Sequence, residues 1–211
     1  MSGVLAAALG KALRDRGMKE ARPVGPGELD RSGAERRMAG GIGAKQVDVT
    51  WATEESGLLC AISVKTINWR DGTTKNYQKN LTNRRSDLLI ESVTLHRRFP
   101  YAVLFGLFFL NSGAQHDGTE QRRSTWGNAH PRLKLFTGRN DPAGRDEQFE
   151  RLYIILVDAS PFHATAKAFE VGDPDHQVTF ESIVDQLIRQ VAERNPDFYE
   201  YEDGKLIRVR S

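Results

Sequence analysis

Helical periodicity is present in three parts of the sequence. Leu5, Leu9 and Leu13 recur at four-residue steps, so we expect a short N-terminal helix. Residues 76–99 carry apolar side chains at intervals of three and four, which predicts a long amphipathic helix. A third apolar stripe of good helical period lies within residues 180–191, and we assign that stripe to core packing.

Four other segments have the patterns of β-strands. The runs at 101–110 and 152–158 are continuously apolar, which is typical of strands whose two faces are both covered. The segments 47–53 and 58–66 alternate instead between apolar and polar residues and predict a hairpin. Because strands and helices alternate along the chain, the pattern predicts an α/β fold.

Length and composition favour one globular domain. At 211 residues, with 39% hydrophobic and 27% charged residues, the chain can bury one sizeable core and is too apolar to be disordered. We therefore expect a single domain over residues 1–211. Its expected parts include a helical arm at 1–27, a second helix at 28–38, and a polar excursion at 111–150 with one helix near 122–136.

Cysteine content and hydropathy set the expected location of the protein. Cys60 is the only cysteine, which excludes an intramolecular disulfide and a zinc site built from several cysteines. The longest apolar run, 101–110, is about half the length of a membrane-spanning helix. The apolar run at 4–9 is too short for a signal peptide. We expect a soluble cytoplasmic protein without a membrane partner.

The predicted hairpin gathers polar groups on one of its faces. With residues 54–57 as the loop, Asp48 lies opposite Ser63, and Lys65 follows two residues further along on the same side. Opposed Cα atoms in such a pair are about 4.5 to 5.5 Å apart, so a carboxylate, a hydroxyl and an ammonium group should converge. The opposite face is apolar in this register, with the pairs Val47–Val64, Val49–Ile62 and Trp51–Cys60.

The order of these residues resembles the PD-(D/E)xK nucleases, a superfamily that includes many restriction endonucleases. In that family an acid enters one strand, the next strand carries an acid, any residue and a lysine, and a helix follows. The segments VDV at 47–49 and SVK at 63–65, with the predicted helix after them, match that order. The resemblance implies a restriction-endonuclease-like fold, with a mixed central sheet flanked by helices. It also implies a metal-dependent endonuclease that hydrolyses phosphodiester bonds in double-stranded DNA.

Two positions depart from the family pattern. Val47 replaces the proline that often precedes the first acid, and Ser63 replaces the second acid. The resemblance then assigns the metal site to the Asp48 carboxylate and the Val64 carbonyl, with Glu35 on the preceding segment as the second carboxylate. Mg²⁺ is the expected cofactor, and Mn²⁺ is expected to substitute for it.

The resemblance also implies catalytic roles for four residues. The divalent ion would activate a water molecule and stabilise the charge that grows on the phosphate oxygens. Asp48, with Glu35, would hold the ion. Lys65 would orient the attacking water or neutralise negative charge, and Ser63 would hydrogen-bond a coordinated water. We expect a type II restriction enzyme that acts as a homodimer, because a small nuclease with one site needs two copies to cut both strands.

A basic segment follows the hairpin. Residues 70–98 hold seven basic and three acidic side chains, a net charge of +4 in a chain whose total is only +2. Cations and amides at such density are suited to phosphate and base-edge contacts. The predicted DNA-binding residues are Lys75, Asn76, Gln78, Lys79, Asn80, Asn83, Arg84 and Arg85. A second contact loop is predicted at Arg122, Arg123, Trp126 and Arg132.

Other interpretations stay open from the sequence alone. An Asp and a Lys on adjacent strands are more often a surface ion pair, which contributes at most about 1 kcal/mol. One alternative function is a non-catalytic DNA-binding or assembly module of the same fold, in which Ser63 marks a lost metal site. Another is a small-molecule hydrolase that uses Asp48 and Lys65 on a different substrate. The five histidines show no metal-binding spacing, and we interpret them as surface or loop residues.

Overall fold

A mixed six-stranded β-sheet with helices on both faces forms the centre of the protein. The computed structural model describes residues 2–24, 36–67, 70–160 and 163–209. The helices are α1 (Ser2–Asp15), α2 (Leu81–His96), α3 (Thr125–Leu133) and α4 (Phe180–Arg194). The strands are β1 (Arg36–Ala39), β2 (Ala44–Val47), β3 (Val49–Thr53), β4 (Gly57–Ile67), β5 (Val103–Asn111), β6 (Arg151–Ala159), β7 (Ala164–Glu170), β8 (Gln177–Val178), β9 (Tyr199–Glu202) and β10 (Lys205–Arg208).

The strands of the central sheet follow the order β3–β4–β5–β6–β7–β8. β3 and β4 form an antiparallel hairpin, β4, β5 and β6 run parallel, and β7 and β8 are again antiparallel. Parallel neighbours need a crossover connection, and α2 lies in the crossover from β4 to β5. The pairs β1–β2 and β9–β10 are small separate hairpins. The expected α/β class is therefore confirmed.

Both faces of the central strands are buried, as the continuous apolar runs predicted. Side chains alternate between the two faces of β5, so Phe105 packs on the side of α1 and α4, whereas Phe108 packs on the side of α2 and α3. Each of these two rings is only 1% exposed. The structure is thus a three-layer arrangement in which α2 and α3 cover one face of the sheet.

The N-terminal helix belongs to the core. Ala6 and Leu13 are fully buried against the sheet and α4. Beyond the helix, Arg22 exchanges two backbone hydrogen bonds with Thr50 of β3, which covers part of the edge of the sheet. The predicted helical arm therefore packs as part of the domain over the described residues 2–24.

The helix predicted over 28–38 is wrong for its last part. Residues 36–38 lie in β1 and pair with β2, while 28–35 lie outside the described residues. The glycine-rich turn explains the difference, because the Gly40 amide donates to the Gly43 carbonyl and turns the chain back on itself. Pairing across this turn favours a strand over a short helix.

The helix predicted over 76–99 is shorter than expected. A 3₁₀ turn at Gln78–Asn80 precedes α2, and the segment before it is not helical. Side chains terminate the helix there, since Asn76 Oδ1 accepts from the Gln78 amide and Asp117 Oδ2 accepts from the Tyr77 amide. Asp117 lies far along the chain, so this boundary is set by a tertiary contact.

The polar excursion at 111–150 folds back onto the sheet. It contains α3, as predicted, and it buries three charged residues, Asp117, Arg139 and Glu150. Cys60 lies in the core, also as predicted, and burial raises the pKa of its thiol to about 12. None of the described helices has the length and apolar character needed to cross a membrane.

Two histidines predicted at the surface are buried instead. His96 is 1% exposed and His130 is 5% exposed. Each ring has an interior polar contact, since His96 Nε2 lies 3.5 Å from Glu150 Oε2 and His130 Nδ1 accepts a hydrogen bond from the Gly172 amide. The surface interpretation is therefore wrong for these two residues.

Replacing His130 with Asn should remove an acid-dependent loss of stability. Burial lowers the pKa of His130 from an ordinary value of 6.5 to about 4, so between these values the unfolded chain binds a proton that the folded state does not. Stability is complete above pH 6.5 and falls as the pH drops toward 4, by up to about 3 kcal/mol. Urea unfolding between pH 7 and pH 4 measures this slope. Asn offers a hydrogen-bond acceptor near the Nδ1 position, so the contact with the Gly172 amide can be kept. If the free energy of unfolding of the variant still falls as steeply with decreasing pH, His130 is not the source of that fall.

Candidate functional site

Asp48 occupies a bend between two strands. It follows β2 and precedes β3, and its Oδ2 accepts a hydrogen bond from the Val64 amide of β4 at 2.7 Å. A carboxylate held by a backbone amide has a fixed position, whereas a free surface carboxylate rotates in solvent. The bend therefore delivers Asp48 to the strand that carries Ser63 and Lys65.

The register predicted for the hairpin holds in its middle and fails at both ends. The pairs Val49–Ile62 and Trp51–Cys60 form as predicted. A bulge in the second half of β3 then shifts the pairing, so that Ala52 lies opposite Leu58. At the other end Val47 does not pair with Val64, because it belongs to β2 and pairs with Arg36 across the bend.

Lys65 contacts two carboxylates at once. Its Nζ lies 3.7 Å from Asp48 Oδ2 and 2.9 Å from Glu91 Oε2. The Lys65 side chain is 13% exposed, so this is no ordinary surface ion pair. The predicted convergence of Asp48 and Lys65 is confirmed as geometry, while their chemical roles stay predictions.

Glu91 is the site residue that sequence reasoning missed. It lies on α2, and its side chain is 2% exposed beside Lys65. Burial raises the pKa of the Glu91 carboxyl above its ordinary value, and the neighbouring Lys65 ammonium offsets part of this rise. A usable signal existed, because Glu91 falls between Leu88 and Leu95 at helical spacing, on the buried stripe of α2. A carboxylate on such a stripe requires a partner in the interior.

Ser63 brings an unpaired hydroxyl to the same site. It is 1% exposed, and its Oγ has no hydrogen-bond partner of normal geometry among the described residues. It nevertheless lies close enough to Glu91 to lower the pKa of that carboxyl, against the larger effect of burial, which raises it. A buried polar atom without a partner costs free energy, and at functional sites such atoms commonly await a ligand or water.

Asp48, Lys65 and Glu91 line a polar cleft of about 310 Å³. Lys45 and Gln46 of β2 contribute one wall, and Arg84 and Asp87 of α2 contribute another, with Arg84 Nη1 lying 3.1 Å from Asp87 Oδ2. The cleft therefore opens beside the start of α2 and combines three cations with three carboxylates.

The oxygen donors of the cleft fit a hard divalent cation. Asp48 and Glu91 present carboxylate oxygens to the same ammonium group, and Mg²⁺ takes one or two protein carboxylates while keeping several waters. Within the described ranges, His, Cys, Asp and Glu side chains form no group of three or more that could hold a metal ion. Glu35, the predicted second carboxylate, lies outside the described residues, and Glu91 is the acid that reaches the site.

The predicted DNA-binding residues differ in accessibility. Those exposed to solvent are Lys75, Lys79, Asn80 and Asn83. Arg84 lines the cleft, and Arg85 stacks over the ring of Phe136 with its Cζ 5.3 Å from the ring centroid. Gln78 is partly buried and donates to the Arg123 carbonyl. Asn76 is 5% exposed and uses its amide in local hydrogen bonds, so a direct DNA contact by Asn76 does not fit the structure.

The second predicted contact loop divides in the same way. Arg123 and Arg132 are exposed. Arg122 is partly buried, and its Nη2 donates to the Asp117 carbonyl. Trp126 packs edge-on against His130 and Phe169. Trp126 thus serves the packing of α3 on the sheet, because its ring has interior partners, and its predicted role in DNA contact does not fit the structure.

Comparisons with known proteins complete the description of the site. No protein-family model matches the chain, and no curated protein and no solved structure matches it significantly. Any assignment of function therefore depends on the geometry of the cleft and on the residues that line it.

Proposed function

We propose that the protein is a Mg²⁺-dependent endonuclease that hydrolyses phosphodiester bonds in double-stranded DNA. One observation carries the proposal: Asp48, Lys65 and Glu91, from three different elements, meet in one polar cleft. A buried carboxyl whose pKa is raised, as that of Glu91 is, occurs more often in the clefts of catalytic sites than elsewhere. The basic segment next to this cleft supplies the charge that a DNA substrate needs.

The finer description of the fold is part of the same proposal. A hairpin with an acid at its first strand, a lysine on its second, and a helical crossover to a parallel strand follows the order of the PD-(D/E)xK nucleases. We therefore propose a restriction-endonuclease-like fold. In this interpretation Glu91 on α2 takes the place of the acid that Ser63 replaces.

The residues of the cleft have separate tasks in this reaction. When bound, the divalent ion supplies Lewis acidity toward the scissile phosphate. Asp48 and Glu91 would hold it, Asp48 being kept in place by the Val64 amide. Lys65 would then be released from the two carboxylates and would stabilise negative charge on the phosphate. Water adds to phosphorus, one P–O ester bond breaks, and the leaving oxygen gains a proton.

A homodimer of the type II restriction class is the proposed assembly. The described residues bring Asp48, Lys65 and Glu91 together in one cleft, and cutting both strands of a duplex needs two such sites. Symmetric pairing of identical chains is the commonest way to bring two copies of a site together. Double-stranded DNA is accordingly the proposed partner.

Supercoiled plasmid incubated with Mg²⁺ tests the proposal. We expect wild-type protein to convert the plasmid to nicked or linear forms, and we expect no cleavage in EDTA. Lys65→Ala and Asp48→Ala should bind duplex DNA but lose cleavage by at least about a hundredfold, because each removes charge stabilisation from the transition state. Equal cleavage by all three proteins would contradict the assignment of Asp48 and Lys65 to the catalytic site.

A non-catalytic DNA-binding module is the second candidate. The observation in its favour is Ser63 at the position of an expected acid, together with no group of three possible metal ligands in the described part of the chain. That function predicts salt-dependent DNA binding that is indifferent to Mg²⁺, with no cleavage by wild type. The plasmid experiment therefore separates the two candidates directly.

A further inference from the structure

A second polar hollow lies beside the candidate cleft. Its volume is about 510 Å³, and its donors include Thr73, Thr74, Gln78, Lys79, Thr82 and Arg132. Thr82 lines the hollow while Arg84, two residues along α2, lines the cleft. Two residues of helix rise by about 3 Å, so the hollow and the cleft both lie at the first turn of α2, on different faces of the helix.

The hollow has two walls from distant parts of the chain. One wall is the loop 70–80, in which Asp71 accepts hydrogen bonds from the Thr73 and Thr74 amides and pairs with Lys79 at 2.9 Å. The other wall comes from the excursion at 111–150 and carries Arg132. These two walls are the segments for which the sequence predicted separate DNA contacts.

Asp117 joins the two walls. It is 4% exposed, and its carboxylate accepts from the Tyr77 amide at 3.0 Å and from both the amide and the hydroxyl of Thr125 at 2.6 Å. Tyr77 begins the 3₁₀ turn of the first wall, and Thr125 begins α3 of the second. A further bond runs from Gln78 Nε2 to the Arg123 carbonyl at 3.2 Å. One buried carboxylate thus makes a single rigid platform from two loops.

The exposed chemistry of this platform matches duplex nucleic acid. Lys75, Arg123 and Arg132 are exposed, and no carboxylate of the described residues forms a salt bridge with them. Threonine hydroxyls and the Gln78 amide add neutral donors and acceptors of the kind that contact phosphates and base edges. Single-strand binders stack bases on aromatic rings, and in the described part of the chain no aromatic side chain lines the hollow.

We infer that the hollow is a second contact site for double-stranded DNA, at the same end of α2 as the cleft, and that Asp117 is the positioning residue that holds its two walls together. This inference rests on the proposed function, since it names the surface that would hold the duplex over the cleft. Arg123 and Arg132 contact backbone phosphates from the excursion. Asp117 contacts no DNA and acts only by fixing the position of one wall relative to the other.

Duplex binding in EDTA tests the inference without any cleavage. A fluorescent duplex of about 20 base pairs is titrated at several salt concentrations. Arg123→Ala/Arg132→Ala should weaken binding about tenfold or more and should reduce the slope of log affinity against log salt by about 2, because about one counterion is released for each phosphate contact. Asp117→Asn should weaken binding in the same direction while the far-ultraviolet circular dichroism keeps its helical signal.

A double variant on the opposite face of the sheet is the matched control. Lys11→Ala/Lys205→Ala removes the same charge from α1 and β10 and should leave the affinity within about threefold. Unchanged binding by Arg123→Ala/Arg132→Ala, an equal loss in the control, or tighter binding of the single strand than of the duplex would each overturn the inference. Cleavage of plasmid with Mg²⁺ is scored separately. If wild type never cuts DNA but the Arg123→Ala/Arg132→Ala variant loses duplex binding, the contact site is supported and the nuclease function is contradicted. If wild type cuts DNA and the variant binds duplex as well as wild type, the nuclease function is supported and the contact site is contradicted.

Discussion

Glu91→Gln should abolish Mg²⁺-dependent DNA cleavage while leaving the protein at least as stable as wild type. Gln keeps the size of the side chain and removes its charge, so the cleft loses one of its two cation-holding carboxylates. We expect the cleavage rate to fall by at least about a hundredfold. Raising the Mg²⁺ concentration should recover part of the activity, because the remaining Asp48 still offers a weaker site.

The stability of Glu91→Gln should change in the opposite direction from its activity. Burial raises the pKa of Glu91, so ionisation of this carboxyl costs more free energy in the folded state than in the unfolded chain. An acid of this kind contributes most stability below its unfolded pKa of about 4.5 and loses it as the pH rises through the folded value. The variant, which does not ionise, should therefore gain stability relative to wild type in urea unfolding as the pH rises above 4.5.

Asp87→Asn is the matched control for Glu91→Gln. Asp87 lines the same cleft, but its side chain is 42% exposed and pairs with Arg84 near the surface. Its neutralisation should leave cleavage within a few-fold. Loss of cleavage in Asp87→Asn and retention in Glu91→Gln would place the cation elsewhere in the cleft and would contradict the role given to Glu91.

Glu150→Gln should cause a large loss of stability. Glu150 is fully buried just before β6, where its Oε2 accepts from the Leu104 amide at 2.6 Å and its Oε1 lies 2.7 Å from Arg194 Nη1. The buried Arg139 guanidinium depends on the same negative charge, since Glu150 offsets part of the cost of burying it. Removing the charge leaves the buried Arg194 without its ion-pair partner and weakens the compensation of the buried Arg139. We expect a loss of about 3 to 5 kcal/mol.

Chemical denaturation measures this loss against a surface control. Native domains of this size have free energies of unfolding of about 5 to 15 kcal/mol. The Glu150→Gln variant should therefore be partly unfolded at denaturant concentrations well below the midpoint of wild-type unfolding. Glu147→Gln removes an acid three residues earlier whose partner, Arg145, is 69% exposed, and it should cost no more than about 0.5 kcal/mol. Similar midpoints for the two variants would mean that the buried network does not stabilise the fold.

The sequence predicts the parts of this fold that depend on local periodicity. The runs at 101–110 and 152–158 became β5 and β6, because an uninterrupted apolar segment is stable only when both faces are covered. The alternation of apolar and polar residues around Asp48 and Lys65 also predicts that these two side chains share one face of the hairpin. Neighbouring strands of a hairpin are close in sequence, so a period of two is enough to place their side chains on one face.

The remaining features depend on contacts between distant segments. The start of α2 is set by Asp117, and the second acid of the cleft comes from Glu91, in a helix beyond the hairpin. β1 was mistaken for a helix because its partner strand lies across a glycine turn. His96 was placed at the surface because its partner, Glu150, is a long way along the chain. Periodicity carries no information on which distant polar groups will meet in the interior.

The metal site is the central claim, and anomalous diffraction from crystals grown or soaked with Mn²⁺ tests it most directly. The account predicts an anomalous peak in the cleft, at about 2.1 Å from an oxygen of both Asp48 and Glu91, with Lys65 Nζ moved away from the two carboxylates. The peak should disappear in Glu91→Gln crystals at the same Mn²⁺ concentration. A cleft without a peak, or a peak that the Glu91→Gln substitution leaves unchanged, would contradict the account.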